Sequence, residues 1–333
     1  MQDHGGRRDR SVCRQMRVLV TGGAGFIGSH LVEILLENDN DVVVLDNMST
    51  GKVENLSICI DNKRLQLVRG DVREYRAVDK CMDSIDVIVH LAAIANIQDS
   101  LNYPSEAADV NVNGTLNVLK AAAKHHADKF IFASSSAVYG EPKRLPTEED
   151  DPVDALSPYA ATKIESEANC RRYRELFGLD SLCLRFFNVY GSGRQARYHG
   201  GVIPQFIERI KAGLSLEVFG DGNQTRDFVN VKDAVEAIMI AIRNGIDEDT
   251  LNVGSGRAVT VNQLGRTLLS ISGKTPENLI HKPARRGEIR HSLASLARVS
   301  RCLGFVPHVE LEDGLRYLLN GANGGHVPSE DFS

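Results

Sequence analysis

Residues 17–28 read Arg17-Val-Leu-Val-Thr-Gly-Gly-Ala-Gly-Phe-Ile-Gly28, a short apolar run followed by a glycine-rich turn. The run is typical of a buried strand, and the apolar pattern from Ser29 to Asn38 indicates a helix after the turn. Glycines at 22, 25 and 28 allow a tight turn and a close approach, and the N-terminus of a helix favours anions. The stretch predicts a strand–turn–helix unit for the pyrophosphate of a dinucleotide, with an ordinary glycine turn as the alternative.

Acidic residues follow the next two predicted strands. Asp46 ends the run Val42-Val-Val-Leu45, about 20 residues beyond the glycines, where a carboxylate binds the adenosine ribose hydroxyls. The same carboxylate would repel a 2′-phosphate, so we expect NAD rather than NADP. The third strand ends in Gly70-Asp71-Val72. Asp71 is expected either to accept a hydrogen bond from the adenine amino group or to cap the following helix.

Apolar runs continue to alternate with helical patterns beyond the acidic residues. Further strands are predicted at 86–89, 130–133 and 181–186, and helices near 74–83, 109–126, 160–177 and 232–244. Continuous apolar strands between helices indicate an α/β fold with a doubly wound parallel sheet of the Rossmann type.

A domain division follows from this pattern. We expect a disordered N-terminal extension at 1–15, an NAD-binding Rossmann domain at 16–186, a smaller mixed α/β substrate lobe at 187–320 with parts near 227–255 returning to the first domain, and a loose tail at 321–333. Met16 is an alternative start to Met1.

The composition is that of an ordinary globular protein. The 333 residues are 42% hydrophobic and carry a net charge of −5, so no nucleic-acid or membrane partner is expected. No apolar run approaches the roughly 18 residues that a membrane span needs. The six cysteines contain no CxxC pair, so we expect a reduced, cytoplasmic protein without a metal site.

Two hydroxyl-bearing motifs carry the predicted chemistry. Tyr159 and Lys163 are four residues apart at the start of a predicted helix, so they share one helix face. A nearby ammonium and the positive nicotinamide would lower the pKa of the phenol, which could then exchange a proton with a sugar hydroxyl. Ser134-Ser-Ser-Ala-Val-Tyr-Gly140 ends an apolar strand, where open α/β sheets bind ligands. A surface YxxxK pair and a serine-rich strand cap are the structural alternatives.

The order of the motifs resembles that of a known family. TGGAGFIG, HLAA at 90–93, NVNGT at 111–115, SSSAVYG, YAATK, RFFNVYG at 185–191 and QTRDFVNVKD at 224–233 resemble the extended short-chain dehydrogenases/reductases, the NAD-dependent epimerase/dehydratase family. Within it, the chain looks most like the UDP-glucose and UDP-N-acetylglucosamine 4-epimerases. The resemblance covers about residues 16–321.

The resemblance implies roles for individual residues. Tyr159 would be the acid/base, Lys163 its electrostatic partner and Ser135, four residues before Tyr139, the hydroxyl helper. Cofactor contacts are expected from Gly22, Gly25, Phe26, Ile27, Gly28, Asp46, Asn47, Asp71, Val72, Leu91, Ala92, Ala93, Asn111, Tyr159 and Lys163. Substrate contacts are expected from Ser135, Ser136, Asn188, Val202, Phe219, Arg226, Arg285, Glu288 and Ser292.

Several of the substrate contacts have distinct expected roles. By resemblance, Asn188, Arg226 and Arg285 would bind the diphosphate, with surface ion pairs as the alternative for both arginines. Phe219 would border the uracil. Glu288 would bind the uridine ribose, although the family often has aspartate there.

The two residues after Ser135 favour one reaction among those of the family. The related dehydratases and decarboxylases place carboxylates directly after the corresponding hydroxyl residue, whereas this chain has Ser136 and Ala137. Elimination therefore lacks a proton donor, and a UDP-hexose 4-epimerase with tightly bound NAD is expected. A UDP-glucuronate 4-epimerase and a non-catalytic NAD-binding regulator are the alternatives. The family also suggests a homodimer through helices near 109–126 and 160–177.

Ser292 bears on which sugar is used. By resemblance, this position faces the substituent at C2, and a small residue there leaves room for an acetamido group. We therefore expect the N-acetylated substrates to be accepted as well as the plain ones. A turn-capping role for Ser292 is the alternative.

Overall fold

The computed structural model describes residues 15–192, 201–245, 247–284 and 289–320. Its strands are β1 Arg17–Thr21, β2 Asp41–Asp46, β3 Leu65–Arg69, β4 Val87–His90, β5 Lys129–Ser135, β6 Asp180–Phe186, β7 Asn188–Tyr190, β8 Leu216–Phe219, β9 Thr225–Asn230, β10 Thr250–Val253, β11 Ala258–Thr260 and β12 Leu279–Lys282. Its α-helices are α1 Phe26–Glu37, α2 Tyr75–Lys80, α3 Ile97–Asn102, α4 Pro104–Ala108, α5 Gly114–Lys124, α6 Pro158–Phe177, α7 Val202–Lys211, α8 Val231–Arg243, α9 Val261–Ile271, α10 Ala297–Leu303 and α11 Leu311–Asn320.

A parallel sheet with helices on both faces confirms the predicted Rossmann fold. The sheet has the strand order β10-β6-β5-β4-β1-β2-β3 within the described residues. One apolar cluster lies on the α1 and α8 face of this sheet and a second on the α5 and α6 face. Because apolar surface is buried on both faces, the strands are almost continuously apolar, as their sequences indicated.

Smaller sheets and a third apolar cluster form the remaining part of the molecule. Strands β11-β9-β7 form one small sheet and β12-β8 another. The third cluster is centred on α7, α9 and these strands, with Phe206, Leu216 and Leu264 fully or almost fully buried. These elements lie within residues 187–320, for which a substrate lobe stays a prediction.

The chain returns to the first sheet at more places than the sequence indicated. Helix α8 packs on α1, and β10 pairs in parallel with β6, within the expected range 227–255. Helix α10 also returns, because Val299, Leu303 and Phe305 are buried in the same cluster as α1 and α8. The sequence pattern had placed α10 in the substrate lobe, since its seven residues carry only a short apolar pattern.

The helices and the cysteines of the described residues bear on membrane insertion and on disulfide bonding. Of the helices there, none combines the length and the apolar character that a bilayer span requires. The cysteines Cys59, Cys81, Cys170, Cys183 and Cys302 are free thiols, whereas Cys13 lies outside the described residues.

Candidate active site

A cavity of about 2100 Å³ opens at the carboxyl ends of the parallel strands. Its walls come from the glycine turn, the ends of β2, β4 and β5, the start of α6 and parts of the smaller lobe. Open α/β sheets bind their ligands at this edge. The cavity is therefore the candidate site.

The glycine turn leaves no room for side chains on the floor of the cavity. Gly22 has a φ of +71°, and a Cβ there would come within 2.8 Å of the Ala92 nitrogen. A Cβ at Gly28 would overlap the Gly22 carbonyl oxygen. Helix α1 begins directly behind the turn without a side-chain cap at Gly25. The residues at the start of this helix, Gly25 to Gly28, line the cavity, where a helix N-terminus favours an anion such as a phosphate.

Asp46 is held in place at the end of β2. One carboxylate oxygen accepts from the Ala24 nitrogen at 3.0 Å and the other from the Met48 nitrogen at 2.8 Å. Burial raises the pKa of Asp46, and the two backbone hydrogen bonds oppose that change. Asp46 lines the cavity together with Lys52 and Asn47. It stands where the ribose acid was expected.

Asp71 is engaged within the protein. Its carboxylate accepts from Asn47 Nδ2 at 2.8 Å and from the Arg73 guanidinium at 2.8 and 2.9 Å. The Arg73 hydrogen bonds hold the pKa of Asp71 well below its usual range. Helix α2 has Glu74 as its N-cap residue, so the helix-capping alternative for Asp71 is wrong. Val72 and Arg73 line the cavity, and no sequence motif pointed to Arg73.

The structure brings Ser135, Tyr159 and Lys163 to one wall of the cavity. Helix α6 begins at Pro158 after the capping residue Ser157, which places Tyr159 and Lys163 one turn apart on a buried face. The Lys163 ammonium donates to the Ala133 carbonyl at 2.7 Å. It also lies 5.8 Å from the centre of the Tyr159 ring.

Protein groups alone move the two pKa values in opposite directions. Burial lowers the pKa of Lys163 to about 8. Burial raises the pKa of Tyr159, and a hydrogen bond with Ser135 opposes that rise. The motif had indicated a lowered phenol pKa. That expectation included the positive nicotinamide, whose charge is supplied by the cofactor and not by the chain.

Hydrogen bonds from Asn111 support the loop after β4. Its side-chain oxygen accepts from the Ile94 nitrogen at 2.8 Å, and its amide donates to the Ile94 carbonyl at 3.1 Å and to Thr162 Oγ1 at 3.0 Å. Asn111 lies in a single turn of π-helix, Asp109–Asn113. It therefore ties a cavity-lining loop to helix α6.

A second buried group, His90, joins β1 to α5. Its ring nitrogens lie 2.6 Å from Thr21 Oγ1 and 2.9 Å from Thr115 Oγ1. Complete burial lowers the pKa of His90 to about 3. The neutral imidazole thus fixes the strand that leads into the glycine turn. In the sequence, His90 stood out only as part of the HLAA motif.

The substrate residues predicted from the sequence are only partly brought together. Ser136, Asn188, Arg226 and Ser292 line the cavity, as do the expected cofactor residues Phe26, Ile27, Leu91, Ala92 and Ala93. Phe219 lies instead in a neighbouring cavity of about 370 Å³, and Val202 is on α7 but outside the main lining. Arg285 and Glu288 lie outside the described residues.

Some functional contacts were not foreseen from the sequence. Ser100 Oγ accepts from the Tyr159 nitrogen at 3.1 Å and so fixes the start of α6. Tyr317 and Leu318 of α11 line the cavity although they are distant in the sequence. Ser100 follows a short polar segment with no motif, so no signal pointed to it. Across the ranges that the structure describes, no cluster of His, Cys, Asp and Glu is arranged to hold a metal ion.

Comparison with known proteins gives consistent results. The model of the NAD dependent epimerase/dehydratase family matches residues 18–254. A putative UDP-glucose 4-epimerase of Methanocaldococcus jannaschii is 38% identical over 305 residues, which cover 91% of this chain and 97% of that protein. The UDP-glucose 4-epimerase of Thermotoga maritima, solved with UDP-glucose, superposes with a TM-score of 0.85 at 38% identity, covering 92% and 98% of the two chains.

A relative with another reaction is similar as well. The dTDP-glucose 4,6-dehydratase of Streptomyces venezuelae, solved with NAD bound, has a TM-score of 0.87 at 31% identity and covers 92% of this chain and 98% of its own.

Proposed function

The chain belongs to the NAD-dependent epimerase/dehydratase family, and we propose that it is a UDP-hexose 4-epimerase. It would interconvert UDP-glucose and UDP-galactose, and also the N-acetylated pair, by transient oxidation at C4. The proposal rests on residues that can move a proton and on the absence of a second acid beside them among the described residues.

The residues that follow β5 in the cavity wall bear on which reaction of the family is catalysed. Ser135 is followed by Ser136 and Ala137, and all three line the cavity. The carboxylates among the described lining residues are Asp46, Asp99, Glu106 and Glu208, and none of these follows β5. Because elimination of water needs an acid at the leaving hydroxyl, this lining favours a reaction without elimination.

The chain's own residues account for the proton steps. Bound NAD supplies a hydride acceptor at C4 and, once reduced, a hydride donor. The Tyr159 oxygen would take the proton from the C4 hydroxyl and, after the 4-keto sugar has turned over in the cavity, return it to the C4 oxygen as the hydride returns to the other face of C4. The Ser135 hydroxyl would hydrogen bond the C4 oxygen throughout. The Lys163 ammonium would stabilise the phenolate, since an opposite charge nearby favours the ionised form.

The glycine turn and Asp46 would retain the cofactor between these two steps. The turn and the N-terminus of α1 line the cavity and would hold the pyrophosphate, and Asp46 lines the cavity as well. Retention is needed because the hydride has to return to the same sugar. Arg226 and Asn188 would bind the diphosphate, with Arg285, and Glu288 would bind the uridine ribose.

A turnover assay with three substrates tests the proposal. The protein is incubated with UDP-glucose, UDP-N-acetylglucosamine and UDP-glucuronate in D2O, and the products are resolved by NMR. We expect the C4 epimers of the first two sugars with no deuterium at C4 or C5. A 4-keto-6-deoxy product with deuterium would indicate a dehydratase. Exclusive use of UDP-glucuronate would indicate the uronate epimerase, and no turnover would favour an NAD-binding regulator.

Ser292→Tyr tests the substrate scope. A small residue leaves space beside the C2 substituent, so wild type should use both sugar pairs and the tyrosine variant should lose the N-acetylated pair. The comparison is the ratio of catalytic efficiencies, kcat/KM, on the two sugars. If wild type uses only the plain pair, or if tyrosine changes neither efficiency, Ser292 does not face the substituent.

A further inference from the structure

The first three residues of strand β9, Thr225 to Asp227, place two side chains on one face of the strand and one on the other. Arg226 lines the cavity, whereas Thr225 and Asp227 contact the segment that contains Ser292. Successive side chains of a strand point to opposite faces. Arg226, which lines the cavity, therefore lies between Thr225 and Asp227, and these two residues form hydrogen bonds with the chain on either side of Ser292.

Thr225 makes the first set of contacts, with the two residues that precede Ser292 in the chain. The Thr225 nitrogen donates to the Arg290 carbonyl at 3.0 Å. The Thr225 hydroxyl also hydrogen bonds to His291 Nδ1 at 3.0 Å. These contacts fix the backbone immediately N-terminal to Ser292.

The Asp227 carboxylate makes the second set of contacts, and one of its partners, Ala294, follows Ser292 in the chain. One oxygen accepts from the Ser255 nitrogen at 2.6 Å and from the Ser255 hydroxyl at 2.7 Å. The other accepts from the Gly256 nitrogen at 3.0 Å and from the Ala294 nitrogen at 3.1 Å. Asp227 has no exposed surface. A carboxylate offers about four acceptor positions, so these donors occupy it fully.

The packing around Asp227 leaves no room for a side chain at Gly254. A Cβ at Gly254 would come within 2.8 Å of an Asp227 oxygen and 2.7 Å of the Ala294 Cβ. A third anchor supports the same segment, because the Thr147 nitrogen donates to the Leu293 carbonyl and the Ser295 nitrogen donates to the Thr147 carbonyl, both at 2.8 Å. The wall around Ser292 is thus built as a rigid part of the cavity.

We propose that Asp227 is a positioning residue for substrate recognition, which fixes the Ser292 wall and the strand that carries Arg226. The inference rests on the proposed function, since it assigns to this wall the C2 substituent and to Arg226 the diphosphate. Burial raises the pKa of Asp227, and its four hydrogen bonds oppose that rise, as expected for a carboxylate held by preorganised donors. The hydrogen-bond partners of Asp227 are Ser255, Gly256 and Ala294, and none of them belongs to the glycine turn.

Asp227→Asn is the decisive variant. It keeps the shape but turns an NH2 group toward backbone N–H donors, so the Ser255 or the Ala294 contact is lost. We expect the KM for UDP-sugars to rise at least tenfold while kcat changes less than threefold. The ratio of kcat/KM on the plain and the N-acetylated sugar should change at least threefold. The amount of NAD that copurifies should stay the same.

Asp233→Asn is the matched control. Asp233 is also buried, at 2% exposure, and accepts from the His308 and Val309 nitrogens at 3.0 and 3.2 Å. It does not line the cavity. Loss of a buried anchor should lower the melting temperature of both variants, but only Asp227→Asn should change KM. Equal changes in KM for the two variants would overturn the proposal.

Two further measurements keep the test decisive. Ser255→Ala removes one donor and leaves Asp227 charged, so it carries the test if Asp227→Asn fails to fold. Both variants should bind UDP more weakly than wild type by calorimetry, by at least threefold for Ser255→Ala. Unchanged UDP affinity in a folded variant contradicts the positioning role. By contrast, a wild type that binds UDP but shows no turnover contradicts the proposed function. The positioning role of Asp227 is then decided by the calorimetric UDP affinities of the variants.

Discussion

Lys163 carries its charge inside the protein. The side chain is 4% exposed, and its ammonium donates to the Ala133 carbonyl at 2.7 Å. Burial lowers its pKa from 10.5 to about 8. The unfolded chain therefore binds more protons between these values, and stability rises as the pH increases through that window. At pH 7 the buried charge costs about 3 kcal/mol.

Lys163→Met should consequently stabilise the protein while abolishing turnover. Removing the charge should raise the free energy of unfolding by about 3 kcal/mol, and loss of the hydrogen bond to Ala133 should lower it by about 1 kcal/mol. The melting temperature should rise by several degrees, measured by calorimetry without substrate, and kcat should fall at least a hundredfold. Lys129→Met is the control, because the Lys129 ammonium donates to the Ala241 and Asn244 carbonyls. That variant should be destabilised, and a destabilised Lys163→Met would contradict the argument.

Tyr159→Phe separates proton transfer from cofactor binding. The phenol oxygen moves the proton, whereas the glycine turn and Asp46 hold NAD, so kcat should fall at least a hundredfold with the NAD content unchanged. Turnover assays and the absorbance of the released cofactor measure the two effects. Tyr139→Phe is a useful comparison, since the Tyr139 hydroxyl donates to Asn252 Oδ1 at 2.6 Å behind the wall. Activity of Tyr159→Phe within tenfold of wild type would rule out the acid/base role.

At the scale of elements, strand β4 shows how the site is braced from behind. His90 ends this strand and connects Thr21 of β1 with Thr115 of α5. With a pKa of about 3 in the folded state against 6.5 unfolded, its contribution is complete above pH 6.5. That contribution is lost progressively as the pH falls toward 3. The brace is therefore strongest where the imidazole is neutral.

His90→Gln should weaken the acid sensitivity of the fold. Between pH 7 and pH 5, protonation of the unfolded imidazole removes about 2 kcal/mol from the wild-type free energy of unfolding. The glutamine variant, which does not titrate, should be less stable at pH 7 but lose less on acidification. Urea titrations at both pH values measure the difference. His126→Asn, at an exposed position, should behave as wild type, and an identical pH dependence in His90→Gln would refute the account.

The elements that the sequence predicted well are those with strong periodicity. The strands of the parallel sheet and helices α1, α6 and α8 are apolar or amphipathic over long enough stretches to be recognised. Two short helices, α3 and α4, were missed because Pro104 divides a polar segment. Several residues expected to contact the cofactor, such as Gly22, Asp46 and Ala92, follow or end predicted strands, and the structure places them in the cavity wall. The hydrogen bonds between β9 and the Ser292 segment join residues that are 66 and 67 positions apart in the sequence. No local sequence pattern contains such contacts.

At the scale of the molecule, the cavity collects residues from both parts of the fold. Asp46 comes from a strand of the large sheet and Tyr159 from helix α6, which packs on that sheet. Arg226, Ser292 and Tyr317 come from later segments. Ligands that fill the cavity should therefore stabilise the whole molecule. The homodimer through α5 and α6 that the family resemblance suggests stays a prediction.

Removal of NAD should lower the melting temperature, and Asp46→Ala should reduce the difference. Saturation at about 100 times Kd stabilises a protein by about 2.7 kcal/mol, and a tenfold weaker Kd lowers this by about 1.4 kcal/mol. The measurement is the shift between stripped and reloaded protein in each variant, which cancels the variant's own stability change. Asp46→Ala should also accept NADP, and an equal NAD-induced shift in variant and wild type would count against Asp46 as the ribose acid.

The late return of β10 to the sheet has a consequence for synthesis on the ribosome. Strand β6 stands between β5 and β10, and β10 begins 64 residues after β6 ends. Until those residues have left the exit tunnel, β6 is an unprotected edge with free backbone donors and acceptors. Such edges invite pairing with other nascent chains. Fragments that stop near residue 186 should therefore aggregate, and chaperone demand should end only when residues 250–253 emerge.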